Sequence, residues 1–345
     1  MSPQTGSALA EVLERHASAE GALVLSAAVD RSAPVTRWTD PEGPSDREPI
    51  VLAYSITKTM IAALIFRRVE AGRLSLDDPI GRWFPDVPDG DAIPLWRVLQ
   101  HSAGLPDYGA DAVYHDTLRD HPGEPWTFED YADRTYRRGL AYPPGAGWAY
   151  SNPGYMLLRE LVGRIEGRSF AQLVEDEIAR PLALEETRVV ETIEDLAGLT
   201  PARSERLSDP SIPVHECLHP GWVSHGVVRS RASEIVRFYE ALSLGRVVAS
   251  DSLARMTDLQ WIGREAAPDV QPSSGCGVLG DPGHRAGSWY GHGAGGPGYN
   301  GLAMHFPDLA GSGRPVTICA FRASERDPLA ETVAHDVVEA LVDRL

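Results

Sequence analysis

Residues 54–60 read YSITKTM, and Lys58 within them is the only lysine in 345 residues. Lysine and arginine together number 32, so every other long basic side chain is an arginine. Arginine serves wherever a fixed positive charge or an aliphatic stem is enough, but its pKa above about 12 keeps it from acting as a base at neutral pH. A composition that excludes lysine elsewhere is expected to keep it where an amine must lose its proton. Three residues earlier stands Ser55. On a helix that spacing puts both side chains on one face, one turn apart, so hydroxyl and amine can touch. A serine hydroxyl is a weak nucleophile until a base takes its proton, and burial in apolar surroundings frees a lysine to be that base. A helix beginning at Ser55 adds free N–H groups and a partial positive field where negative charge develops. Serine fills 25 of the 345 positions, so chance places one three residues before a lone lysine about 7% of the time. The spacing alone does not carry the reading.

Working outward, residues 55–70 have helical length, and Gly72 is a plausible stop. Met60, Ile61, Ala62, Ala63, Leu64, Ile65 and Val69 point in nearly every direction, which predicts a helix buried on most sides. The first 20 residues suit another helix, and 22–30 and 35–40 read as two strands joined by a polar turn. From about 76 to 224, Pro- and Gly-rich loops alternate with helical segments such as 154–167 and 169–179. Residues 227–242 read as a capped amphipathic helix, strand-like runs follow at 286–292, 300–306 and 314–322, and 328–345 is helical by period. Strands at both ends with helices between predict an α/β domain formed by 1–75 and 225–345, with a mainly helical region, 76–224, inserted.

Composition excludes some classes. With 43% hydrophobic and 23% charged residues the chain is globular, and its net charge of −17 supplies no basic excess for phosphate backbones or anionic lipid. Neither nucleic acid nor a membrane is therefore an expected partner. The N-terminus lacks a positive n-region and a continuous apolar run, and the longest apolar stretch, 60–66, is too short to span a bilayer, so the reading is cytoplasmic. Cys217, Cys276 and Cys319 are widely spaced and odd in number, which predicts free thiols.

Two further stretches carry chemistry. Tyr150-Ser151-Asn152 lies inside the loop-like PPGAGWAYSNPGY, where a tyrosine near an ammonium can move a proton to a leaving group and an asparagine amide can orient a lysine and a substrate carbonyl. By itself this triplet reads more simply as a buried tyrosine and a turn asparagine. The glycine-dense GHGAGGPGYNG at 291–301 falls between two strand-like runs, where bare backbone lets a substrate approach and an N–H can donate to an oxyanion. His292 there is equally readable as an ordinary strand-end histidine.

In this order and at these distances, SITK, YSN and the HGA stretch resemble the serine β-lactamase-like family of SxxK serine hydrolases. That family includes class C β-lactamases, D-alanyl-D-alanine carboxypeptidases, D-aminopeptidases and related esterases. RLSLDDPIGRWFPD at 73–86, LQHSAGLPDY at 99–108 and ARPLALEET at 179–187 are similar to its supporting runs, and the resemblance covers roughly 20–345. It implies a β-lactamase/transpeptidase-like fold, an antiparallel sheet flanked by helices with an inserted helical region. It also implies Ser55 as the acylated nucleophile, Lys58 as its base, Tyr150 as second proton carrier, Asn152 as a substrate-contacting amide, and the N–H groups of Ser55 and Gly295 as oxyanion hole. No cofactor or metal is implied. One departure stands out: where penicillin-recognising members carry Lys-Thr-Gly, this chain has His292, Gly293 and Ala294. Loss of that lysine and threonine argues against β-lactam and D-Ala-D-Ala recognition, and a histidine there is similar to esterase and aminopeptidase members.

Other signals are set aside. GAGGPG at 293–298 and GCGVLG at 275–280 fit GxGxxG but open no helix in a βαβ unit, and no serine sits in a GxSxG frame. His215, His219 and His225 could be taken for a metal set, but Pro213 and Pro220 bracket the first two and spoil a helical face. His101 reads as a loop-fixing residue. Trp148, Trp289, Tyr290 and Tyr299 flank the motifs and could line an apolar acyl pocket, although aromatics beside strands are commonly core. The expected function is hydrolysis of a small-molecule ester or amide through an acyl-enzyme. The alternatives are acyl transfer to an amine or alcohol, and a catalytically inactive ligand-binding protein of the same fold.

Overall fold

The computed structural model describes residues 3–17, 21–40, 46–263, 271–326 and 329–344. Its strands, in chain order, are β1 (Leu23–Val29), β2 (Val35–Thr39), β3 (Ile50–Leu52), β4 (Arg188–Val190), β5 (Val227–Arg231), β6 (Gln260–Trp261), β7 (Ser273–Ser274), β8 (Leu279–Asp281), β9 (Trp289–Gly296), β10 (Tyr299–Phe306) and β11 (Val316–Arg322). The longest described helices are α1 (Pro3–His16), α2 (Thr57–Glu70), α3 (Asn152–Glu166), α4 (Ala232–Ser243) and α5 (Ala330–Val342). Residues 1–2, 18–20, 328 and 345 of the two terminal helices expected from sequence lie outside the described residues.

One antiparallel sheet of eight strands runs β2-β1-β11-β10-β9-β8-β7-β6, so strands from both ends of the chain meet at its centre. The middle strand β11 explains how the sheet is covered on both faces. All seven of its residues are buried, and period-two alternation sorts them. Val316, Ile318 and Ala320 pack with Leu9 and Val12 of α1 and Val337 and Leu341 of α5. Cys319 and Phe321 face the other way, into the core that holds Phe238 and Leu242 of α4. Burying one such aliphatic or aromatic side chain contributes about 1.5–3 kcal/mol, so the two layers hold the sheet without any cross-link. The three cysteines are free.

Helix α2 is buried from Thr57 through Phe66, as its all-round apolar pattern predicts. At its far end Arg68 ties it to the helical segment 170–179, bonding Glu177 at 2.6 and 2.7 Å and Glu166 of α3 at 3.0 Å. Gly277 passes so close on another side that a Cβ there would lie 2.2 Å from that of Ala62, and its carbonyl accepts from Thr59 Oγ1 at 2.7 Å.

The structure departs from the sequence expectations in several places, among them the short edge strands β6, β7 and β8, which no strand-like run predicts. Residues 227–231, expected as the first turn of a helix, form β5, because Val227 and Val228 are buried between β3 and β4 and tertiary pairing overrides the helical period. Helix α4 therefore begins at Ala232, capped by a distant residue: Ser233 N–H and Oγ donate to the Glu48 carboxylate at 2.8 and 2.6 Å. The three-stranded sheet β3-β5-β4 has no counterpart among the sequence-predicted strands. Finally, the strand expected to end at 292 continues into the glycine run as far as Gly296, and the next strand begins at Tyr299. Among the described residues no helix is long and apolar enough to cross a membrane.

Candidate functional site

The site forms where the start of α2, the start of α3, β9 and the residues before β5 converge. Tyr54, Ser55 and Ile56 make a single tight turn ahead of α2. Tyr54 has φ +38, a region costly for a bulky L-residue. Three bonds hold it there. Its hydroxyl donates to Pro297 O at 2.6 Å, Ala53 N–H donates to Val228 O at 2.8 Å, and Val228 N–H donates to Thr57 Oγ1 at 3.1 Å. Beneath the turn β9 comes so near that a Cβ on Gly296 would sit 2.3 Å from the Tyr54 ring. Glycine at 296 is thus a condition for bringing the strand against the serine.

Lys58 is fully buried, and its Nζ lies 3.0 Å from Ser55 Oγ and 2.8 Å from Asn152 Oδ1. Burial pushes its pKa well below the ordinary lysine value, opposed only by the charge of Asp107. Asp107 also orients Asn152: Oδ1 accepts from the Asn152 main-chain N–H at 2.8 Å, and Oδ2 from Asn152 Nδ2 at 3.3 Å. With the amide NH₂ drawn to a carboxylate, its oxygen is left facing the lysine. Tyr150 lies with its ring centroid 4.9 Å from Lys58 Nζ, and burial raises its pKa, with the neighbouring Ser55 hydroxyl working in the opposite direction. The sequence-predicted Ser55, Lys58, Tyr150 and Asn152 are therefore all brought together.

The Asn152 amide is engaged by Lys58 and Asp107. One of the remaining expectations needs correction: Tyr290 does not line the cleft in front of Ser55, being turned into the core with its ring 5.0 Å from His305. On a strand, neighbours point to opposite faces, and Trp289 is the one that reaches the cleft. Tyr299 is also core, its hydroxyl on Thr200 O at 2.5 Å. Trp148, His292 and Gly295 do line the cleft, a cavity of about 860 Å³ whose walls include Ile262, Leu279 and Leu302. A Cβ on Gly295 would meet nothing within 4 Å, so its backbone is open to a ligand.

Three imidazoles surround the lysine. His101 accepts from Ser151 N–H at 3.1 Å, fixing the loop that carries Tyr150, and its ring stacks 4.4 Å from the Tyr150 ring. His292 is buried, with Nδ1 2.8 Å from Gly293 O, and burial followed by the Lys58 charge pushes its pKa down to about 3. His225 was weighed in the sequence only as part of a metal set with His215 and His219. The structure instead seats it against Lys58 Nζ, at 3.2 Å from Nδ1 and 3.1 Å from Nε2. Burial and the Lys58 charge also lower the pKa of His101 and His225 well below the usual histidine value. Among the described residues no group of three or more acidic, histidine or cysteine side chains could hold a metal ion. No motif flagged His225, since a lone histidine before a strand carries no spacing signal. The site as a whole offers a nucleophile touching an amine whose charged form is disfavoured, a phenol beside both, and open strand backbone.

Penicillin-binding protein 4* of Bacillus subtilis is 28% identical over 205 residues, 54% of this chain and 44% of that protein. Esterase EstB of Burkholderia gladioli is 28% identical over 185 residues, 50% of this chain and 43% of that one, so the matched part spans less than half of either relative. A D-stereospecific amidohydrolase from Streptomyces sp. superposes with a TM-score of 0.81 at 25% identity, covering 97% of this chain and 98% of that one. The D-amino acid amidase from Ochrobactrum anthropi SV3 superposes at 0.82 and 23% identity over 99% of both chains, which shows a shared fold. The Beta-lactamase family profile matches residues 14–338, and with its β-lactamase/transpeptidase-like fold the chain belongs to that family of serine hydrolases.

Proposed function

We propose that the protein cleaves a small ester or amide through an acyl-enzyme on Ser55, with Lys58 as base and Tyr150 as the carrier that returns the proton to the leaving group. The observation that carries this reading is the 3.0 Å contact between Lys58 Nζ and Ser55 Oγ at a position where burial disfavours the charged lysine. In the first step the Ser55 proton moves to Nζ, Oγ bonds the carbonyl carbon, and the π pair moves onto the carbonyl oxygen. The main-chain N–H groups of Ser55 and Gly295 are the donors proposed for that oxygen. When the carbonyl re-forms, the leaving group departs with the proton passed from Lys58 through the Tyr150 hydroxyl, whose raised pKa suits it to stay protonated between transfers. Water then attacks the ester, with the same pair as base.

The apolar walls given by Trp148, Ile262, Leu279 and Trp289 favour an apolar or aromatic acyl group. An ester or amide bond is supported by likeness to the esterase and the Streptomyces amidohydrolase. His292, held neutral by burial, gives no cation where penicillin-recognising relatives carry a lysine, so a β-lactam is disfavoured as substrate. Intact-protein mass after exposure to a fluorophosphonate and to an activated short-chain ester tests the reading. A single adduct, absent from Ser55→Ala, is expected; a folded wild type that takes up neither reagent contradicts it.

A further inference from the structure

His225 is fully enclosed, and nothing in the acylation chemistry above uses it. Its position is nevertheless tightly specified. Gly226, at φ +80, donates its N–H to Val223 O at 2.7 Å and turns the chain into β5. Tyr108 fastens the preceding residue, its hydroxyl donating to Ser224 Oγ at 3.1 Å and accepting from Ser224 N–H at 3.3 Å. Immediately after the turn, Val228 is bonded on both sides to the nucleophile segment, at Ala53 and Thr57. The same strand therefore sets the serine and the histidine relative to each other. The Tyr54 main chain beside the His225 ring is the one neighbour that favours its protonation.

The valence of a neutral amine gives this placement a purpose. Uncharged Nζ has two N–H bonds and one lone pair, and only the lone pair can take the Ser55 proton. Asn152 Oδ1 at 2.8 Å absorbs one N–H. A second acceptor is needed for the other, or the amine can rotate and present an N–H to Ser55 Oγ. The imidazole of His225 has both ring nitrogens 3.1–3.2 Å from Nζ, and in its neutral form the one nitrogen that carries no hydrogen is that acceptor. A carboxylate there would serve geometrically but would hold Lys58 as an ammonium. The other groups around Lys58 are the Tyr150 and Tyr155 rings, His101, His292 and, through Asn152, Asp107; His225 itself faces Lys58, His292 and Arg159. None of these contacts puts a carboxylate on Nζ.

We propose that His225 is a positioning residue for the Lys58 amine, accepting the N–H that would otherwise compete for Ser55 and so aiming the lone pair at the hydroxyl. This rests on the acyl-enzyme reading. When Ser55 gives its proton to Nζ, the two original N–H bonds stay on Asn152 and His225 and the third is the one delivered onward, so no net proton is left on the histidine.

The test compares His225→Gln, His225→Phe and His225→Asp by the rate of Ser55 acylation with a fluorophosphonate across pH, beside wild type and Ser55→Ala. Gln keeps an acceptor and is expected within about fivefold of wild type, whereas Phe fills the space without one and is expected to be slower by about 50-fold or more. Asp is expected to move the acid limb of the profile up by more than about one pH unit, because it stabilises the ammonium. Phe acylating at the wild-type rate, or Gln and Phe equally slow with unshifted profiles, overturns the proposal and leaves His225 a space-filling residue. Should Phe fail to fold, an acid limb unmoved in Asp has the same meaning. Absence of acylation in wild type would strike at the acyl-enzyme reading instead. In that case the Lys58 side-chain resonance, the only lysine signal in the isotope-labelled protein, still reports the contact through its expected upward pKa shift in His225→Asp.

Discussion

At the scale of single residues, the account turns on an amine that must be able to discharge. Lys58→Arg keeps a cation in the pocket but cannot deprotonate, so acylation of Ser55 is expected to fall about 10³-fold or more, without recovery at high pH. Rapid-mixing acylation kinetics, with near-ultraviolet circular dichroism to confirm folding, checks this; a near-wild-type rate rules out the general-base role. Histidine burial has a consequence for stability. His101, His225 and His292 have folded-state pKa values pushed below the ordinary 6.5, that of His292 to about 3. The unfolded chain therefore binds these protons first. Their neutral burial is tolerated fully above pH ~6.5, and stability is lost as pH falls below that value towards ~3. The urea midpoint is expected to drop steeply over that window, and a flat profile between pH 6.5 and 4 would contradict the buried neutral histidines.

At the scale of elements, the nucleophile turn is held by close approach. Gly296→Ala would put a methyl against the Tyr54 ring, where the Cβ position lies 2.3 Å from ring carbon. Overpacking of this kind costs about 1–3 kcal/mol, and here the displaced element is the one carrying Ser55. The variant should lose acylation rate out of proportion to its fall in melting temperature. Arg68 acts at the other end of the same helix. Its side chain is 5% exposed and its partners Glu166 and Glu177 are 15% and 16% exposed. Arg68→Ala removes one arginine from each carboxylate while Arg73 still bonds Glu166 at 2.6 Å and Arg67 still bonds Glu177 at 2.9 Å, so the expected cost in urea unfolding is about 1–3 kcal/mol. Acylation by the folded fraction should be unchanged, since no atom of that network reaches the cleft.

At the scale of the whole molecule, the sequence reveals the elements whose signals are local. The all-round apolar α2, the strands β1 and β2, and the serine–lysine spacing are each encoded within a few residues. What escapes are features made by distant partners: β5, a helix by period but a strand by pairing; the start of α4, capped by Glu48; and His225, meaningful only because β5 delivers it to α2. Tyr290 and Trp289 show the limit on one strand, where a single step of register decides which aromatic meets the cleft. On the proposed reading that cleft selects the acyl group, and Trp148→Ala is expected to raise KM for aromatic acyl esters about tenfold while changing acetyl esters little. The proposed chemistry nonetheless depends on the protonation of Lys58, and the composition allows that to be measured directly. In protein carrying isotope-labelled lysine, Lys58 gives the single lysine side-chain resonance. Followed across pH, that signal is predicted to report an amine already neutral in the working range, with its titration well below the free-lysine value of about 10.4. A lysine that remains an ammonium up to pH ~10 would contradict the account.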